Sequence, residues 1–233
     1  MRIQAKGYLM RGLAVLISIL VGSSGLAQTR VSCELAPAWG RGQSTLGQID
    51  QATQLAAGCS YAFSLSPHLS LGPRLLFSDQ EWTIDRTPGE AAELLSLQAR
   101  SWQLGILATQ SWSRWTGLYG WSIGQGQGQL ERTLSTPNSR QSATYSGLDY
   151  RSQQHEIGFR YQAKNRWSYG LSFLRSQGRQ SWSQEDGRFV GESVDQDTRL
   201  TLTSGSLNLA APQTTQLEFV SSEIRFGVQL LFH

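Results

Sequence analysis

Eight stretches of this chain alternate large apolar residues with small or polar ones at a period of two. No other feature narrows the possible folds as much. The last stretch carries Ile224, Phe226, Val228, Leu230 and Phe232 on one side, almost to the final residue, and Glu223, Arg225, Gly227 and Gln229 on the other. Period-two alternation is the pattern of a β-strand with one apolar face. A terminal strand of this kind needs a hydrogen-bonding partner, and its apolar face needs a place away from water.

The other stretches repeat the pattern. Val31, Cys33, Leu35, Pro37 and Trp39 form the first; Leu55, Ala57, Cys59, Tyr61 and Phe63 the second; Leu69, Leu71, Pro73, Leu75 and Phe77 the third. Trp102, Leu104, Ile106 and Ala108 form the fourth, and Trp115, Tyr119, Trp121 and Ile123 the fifth. Ile157, Phe159, Tyr161 and Ala163 make the sixth, and Trp167, Tyr169, Leu171 and Phe173 the seventh. Each alternating run is roughly 9–11 residues, the length of a strand that crosses a membrane.

The connections alternate in length. Ser64–His68, Thr109–Ser113 and Ala163–Arg166 are short, whereas 40–52, 79–93, 126–148 and 177–216 are long. Short turns on one side and long loops on the other are expected of outer-membrane barrels, with both chain ends on the short-turn, periplasmic side. Symmetric hairpins would centre near Leu46-Gly47, Pro88-Gly89 and Pro137-Asn138-Ser139, residues suited to turns. The first centre sets Cys33 opposite Cys59, close enough to bridge if the backbone allows. The last long loop has alternating pieces around Phe189-Val190 and Leu200–Leu202. These either extend the barrel as a hairpin above the membrane or add a strand pair, giving ten strands instead of eight. Trp182 and Phe189 are candidate partner contacts there.

Arg2, Lys6 and Arg11 precede the apolar run LAVLISILV, which ends in small residues with Gly25 and Ala27 placed for cleavage. This predicts a secretory signal at 1–27 and a barrel domain at 28–233. Arg30 occupies the position where a lipoprotein signal ending at Cys33 needs an aliphatic residue. The leader holds three of the 20 Lys+Arg and none of the 17 Asp+Glu, leaving the remainder balanced at 17 against 17. Nucleic-acid binding therefore lacks its electrostatic footprint.

The faces opposite the apolar residues carry Glu34, Arg74, Glu156, Arg160, Glu223 and Arg225, three acids and three arginines. Inside a narrow closed sheet these groups are tolerable only as hydrogen-bonded pairs. Gln103, Gln162 and Gln229 are expected to join them. Phe63, Trp112, Trp115, Tyr161, Trp167 and Phe232 cluster beside the short turns, and Trp39, Trp82 and Trp121 lie toward the other ends. Two aromatic bands predict the girdles of a membrane barrel. The expected fold is a closed antiparallel up-and-down transmembrane β-barrel, its last strand pairing with its first.

In these respects the chain resembles the small eight-stranded outer-membrane barrels of the outer-membrane protein A and X type, a porin-like family. The resemblance implies residence in the outer membrane of a Gram-negative bacterium, contact with its lipids, and insertion by the barrel-assembly machinery. The insertion signal would be the last strand, with Phe226, Gly227, Leu230 and Phe232, although His233 follows the terminal aromatic.

No catalytic constellation is expected. His155 is followed by Glu156 and Ile157, without the serine two residues on that lipid A deacylases of similar architecture use. Its parity puts it on the outer face, opposite Trp121. His68 and His233 lie in a turn and at the chain end, too scattered for a metal site. The glycine-rich GQGQGQ at 124–129 lacks the lysine and helix of a phosphate loop. The expected role is structural or surface-interacting, through long extracellular loops and an interior plugged by ion pairs, with no cofactor. The alternatives are a lipid A-modifying enzyme and a secreted soluble barrel that binds a small apolar ligand.

Overall fold

A computed structural model describes residues 29–232 apart from 87–91, 137–138, 164–165, 182–186, 196–197 and 203–215. The strands are β1 (Thr29–Ser44), β2 (Gly47–Ser64), β3 (Leu69–Arg86), β4 (Ala92–Trp112), β5 (Trp115–Thr136), β6 (Ser139–Gln162) and β7 (Trp167–Ser181), then β8 (Gly187–Asp195), β9 (Thr198–Leu202) and β10 (Gln216–Phe232). Eight of them, β1–β7 and β10, form a closed antiparallel ring. Closure is made by β1 and β10, from Val31 opposite Phe232 to Ser44 opposite Phe219. The terminal strand thereby finds its partner, and no sheet edge is left at the seam to face hydrocarbon unpaired.

The short-turn side follows the sequence closely. Four residues, Leu65–His68, separate β2 from β3, and Ser113-Arg114 alone separate β4 from β5. Ser113 adopts φ 55° to make that tight reversal.

The opposite side differs from expectation. Most of the segments expected as long loops are strands: β1 and β2 run on until only Thr45-Leu46 divide them, and β5 and β6 continue to Thr136 and Ser139. Strands of 15–24 residues exceed what a bilayer requires. The polar extensions hydrogen-bond to one another as ladders, so the wall continues into water. Within the last long loop, β8 pairs with the upper part of β6, from Ser139 to Tyr145, and β9 pairs with β8. The sheet thus has ten strands, of which eight close the barrel and two form an added hairpin. Trp182 lies outside the described residues.

Within the membrane-crossing part, the apolar residues face outward. Leu104 is 63% exposed, Leu171 59% and Phe226 46%, whereas Glu156 is 4% and Arg160 6%. Above this belt the two faces exchange character. On β3 the outward positions Asp79, Glu81 and Asp85 are polar, and the inward Trp82 and Ile84 are fully buried. Outside this stretch lies water, so the dry side is the lumen, and the apolar residues follow it. Trp82 is consequently a core residue and not part of an outer girdle; Trp39 does face outward.

Two bulges adjust the lining of this upper lumen. One sets Asp50 and Gln51 of β2 against Arg41 and turns Ile49 inward. The other leaves Gly147 of β6 unpaired at φ 77°, a left-handed conformation suited to glycine, and turns Tyr145 inward. Ile49 and Tyr145 join Trp82, Ile84, Leu95, Leu97, Leu130, Leu148, Tyr150, Leu217 and Phe219 in one buried cluster.

Candidate functional site

The lumen is built in layers, each set by which residue the period of two points inward. Nearest the short turns, Gln229 donates to Ser32 Oγ at 2.6 Å and accepts from Ser168 at 3.0 Å, while Ser32 and Ser60 share a 2.8 Å bond. Above this floor sit the charges. Glu34 pairs with both Arg74 and Arg160. Glu156 accepts from Arg74 at 2.5 Å and from Arg225 at 2.9 Å. The result is one chain, Arg160–Glu34–Arg74–Glu156–Arg225, that ties β6, β1, β3 and β10 across the lumen.

Glu223 stands apart from that chain, with Ser221 donating to its Oε1 at 2.6 Å. Five of the six charged residues singled out in the sequence thus form a continuous network. The sixth, Glu223, is buried but takes no ion pair among the described residues, so the expected pairing does not extend to it. Residues that sequence reasoning did not single out complete the layer. Ser172 donates to Glu156 Oε1 at 2.6 Å, and Gln54 accepts from Arg225 at 2.9 Å. Their signal was available: each has the parity opposite to the apolar run on its strand, Gln54 beside Leu55 and Ser172 between Leu171 and Phe173. Room for the guanidiniums comes from small neighbours. A Cβ at Gly120 would lie 3.1 Å from Arg74 Nη1, and one at Gly170 would meet the Arg160 side chain at 2.7 Å.

The next layer is neutral and polar. Gln103 donates to Ser78 at 2.9 Å and accepts from Ser122 at 3.2 Å. Gln103 and Gln229 are buried, but Gln162 is exposed at the short-turn end and does not line the lumen. An aromatic cluster lies above this layer: Trp82 and Phe219 ring centroids are 4.3 Å apart, and Tyr150 stacks parallel to Phe219 at 6.1 Å. Tyr150 also donates to Gln80 at 2.5 Å, joining the cluster to the polar layer. Glu93 and Arg132 pair at the upper rim.

On the outside, Cys33 and Cys59 stand in register and are disulfide-bonded. Phe226, Leu230 and Phe232 point outward on β10, and Gly227 points inward. His155 is on the outer face in register with Trp121 and Arg175. Its Nδ1 meets Tyr119 Oη at 3.3 Å and its Nε2 meets Gln153 at 3.0 Å. Neither ring nitrogen meets a serine or threonine hydroxyl or a carboxylate among the described residues. Among the described residues, no three His, Cys, Asp or Glu side chains gather as metal ligands.

A closed antiparallel barrel with a lipid-facing apolar belt and a charged lumen is a transmembrane β-barrel of the outer-membrane class. No family profile and no curated protein matches the chain. Among solved structures it is similar to Neisserial surface protein A, at 11% identity, with 87% of this chain and 96% of that one covered and a TM-score of 0.41. It is also similar to the outer membrane protease OmpT of Escherichia coli (7%, 88% and 96%, 0.46). A third is Ail, the attachment invasion locus protein of Yersinia pestis (8%, 86% and 99%, 0.36). Likeness at this level concerns the fold and carries no function across.

Proposed function

We propose that this protein is a closed structural and surface-interaction barrel of the Gram-negative outer membrane. In this reading residues 1–27 are a cleaved export signal. The last strand, with Phe226, Gly227, Leu230 and Phe232, is the segment that the barrel-assembly machinery takes up. The barrel offers its extended upper wall and the β8–β9 hairpin to partners outside the cell. The observation that carries the reading is the filling of the lumen, by ion pairs at membrane depth and by aromatic residues at the mouth. Eight strands enclose a space that side chains can fill, and here two different layers do so. A wall that blocks passage and projects beyond the bilayer is suited to anchoring and contact.

The enzyme alternative needs a nucleophile and a base within reach of each other on the lipid face. His155 is bonded to Tyr119 and Gln153, with no serine and no acidic partner on its ring among the described residues, which favours the non-catalytic reading. The soluble-barrel alternative needs its apolar face inside at mid-height, where Glu34, Arg74 and Glu156 sit.

The test combines two measurements on the full-length protein. Unboiled and boiled membrane fractions should migrate differently on a denaturing gel, and the purified protein in planar bilayers should show no steady conductance. A stable open channel would overturn the plugged-barrel reading. So would turnover of labelled lipid A that is lost in His155→Ala.

A further inference from the structure

The outer wall of β6 and β7 carries charge that the lumen and the lipid belt leave unexplained. Arg151 of β6 lies directly opposite Arg179 of β7, and Arg175 lies opposite His155 two outward-facing pairs lower. All three arginines are exposed. Like charges facing each other on adjacent strands repel. Glu218 of β10 accepts from Arg179 at 2.6 Å. Arg151 and Arg175 have no ion-pair partner among the described residues, although Asp149 is exposed two residues above Arg151. The remaining cross-strand neighbours are neutral: Gln125 beside Arg151, Gln153 facing Gln177, and Ser222 beside Arg175.

Two further features specify what would relieve this repulsion. The arginines begin one step above Phe173, the last apolar outward residue of β7, where the apolar belt ends and where the membrane reading above puts the outer-leaflet headgroups. Two of them, Arg151 and Arg179, also border an open depression of about 1400 Å³ whose one flank is Arg151, Gln153, Arg179 and its partner Glu218 and whose other is Trp102, Leu104 and Ile123. Guanidiniums pair with phosphate oxygens two at a time, and the apolar flank continues into the belt. A free anion would use the first flank alone; an acylated phosphate uses both.

We propose that this depression binds a phosphorylated acyl lipid of the outer leaflet, with the phosphate between Arg151 and Arg179 and acyl chains along Trp102, Leu104 and Ile123. The site rests on the membrane reading above, and the experiment separates the two. The full-length protein in detergent micelles is offered bis-phosphorylated lipid A, the same lipid with its phosphates removed, or inorganic phosphate. Retained lipid is counted by native mass spectrometry. Wild type should retain the phosphorylated lipid. The exposed double variant R151Q/R179Q should retain about tenfold less, and R30Q, an exposed arginine at the short-turn end, should match wild type. Equal retention by R151Q/R179Q, equal retention of the dephosphorylated lipid, or displacement by inorganic phosphate would each overturn the site. Boiled and unboiled migration is followed for every variant. Loss of the shift in wild type sinks the membrane barrel, whereas a normal shift with unchanged lipid retention sinks only the lipid site.

Discussion

Arg74 is the residue on which the interior depends most, because it alone touches both carboxylates of the network, Glu34 and Glu156. A buried ion pair adds little over a well-packed apolar substitute, but removing one partner strands a charge away from water. Arg74→Ala leaves Glu34 with Arg160 alone and Glu156 with Arg225 alone, and takes one buried positive charge from between them. The expected cost is about 3–5 kcal/mol, read as a lower urea midpoint for loss of the fast-migrating unboiled form. Arg100→Ala is the comparison. Its partner Asp79 lies at 3.1 Å, but the Arg100 side chain is 74% exposed, so solvent already screens the pair. Its expected effect is within about 1 kcal/mol. Equal effects in the two variants would mean that the interior pairs are hydrated and that burial does not govern them. The six charges were visible in the sequence because each occupies the face opposite the apolar run. Their order of pairing was not visible, since it depends on which strands the lumen brings across from one another.

At the scale of strands, the period of two gave the fold class, the closing pair and the Cys33–Cys59 register. What it obscured was strand length. Asp79, Glu81 and Asp85 make the outward row of β3 polar, as a loop would be, while Trp82 and Ile84 continue the inward row as strand. An apolar face ends where the outside becomes water, and that position is not the end of the strand. The bulges at Asp50-Gln51 and Gly147 hid the rest, because each breaks the alternation by one residue just where the core resumes. The belt itself makes a depth-dependent forecast. Leu171→Arg, at mid-belt and opposite Phe226 and Phe159, should destabilise the barrel by about 2–4 kcal/mol. Gln177→Arg, three outward positions higher on the same strand, should cost about 0–1 kcal/mol. Refolding into vesicles over a urea series measures both. Similar penalties at the two sites would place the bilayer elsewhere along β7.

On the plugged-barrel reading proposed above, the lumen of the whole molecule holds two seals of opposite chemistry in series. The lower is ionic and sits in the membrane; the upper is aromatic and stands above it. An ion crossing the lower layer must displace arginine–carboxylate pairs, and one crossing the upper must open Trp82, Tyr150 and Phe219, which have ring contacts in every pairing. Because the two layers resist by different means, loss of one leaves the other intact. Trp82→Ala should therefore destabilise the protein, at about 3–5 kcal/mol for a fully buried tryptophan, without admitting current. Arg74→Ala should likewise remain closed, its network loosened beneath an intact cap. Combining Trp82→Ala and Phe219→Ala with Arg74→Ala removes both barriers from one lumen, and discrete openings are expected in planar bilayers. Boiled and unboiled migration of each preparation establishes that the barrel is folded before current is recorded. Openings in the Trp82→Ala protein alone would show that the ion pairs are no barrier, and that the cap holds the barrel shut unaided.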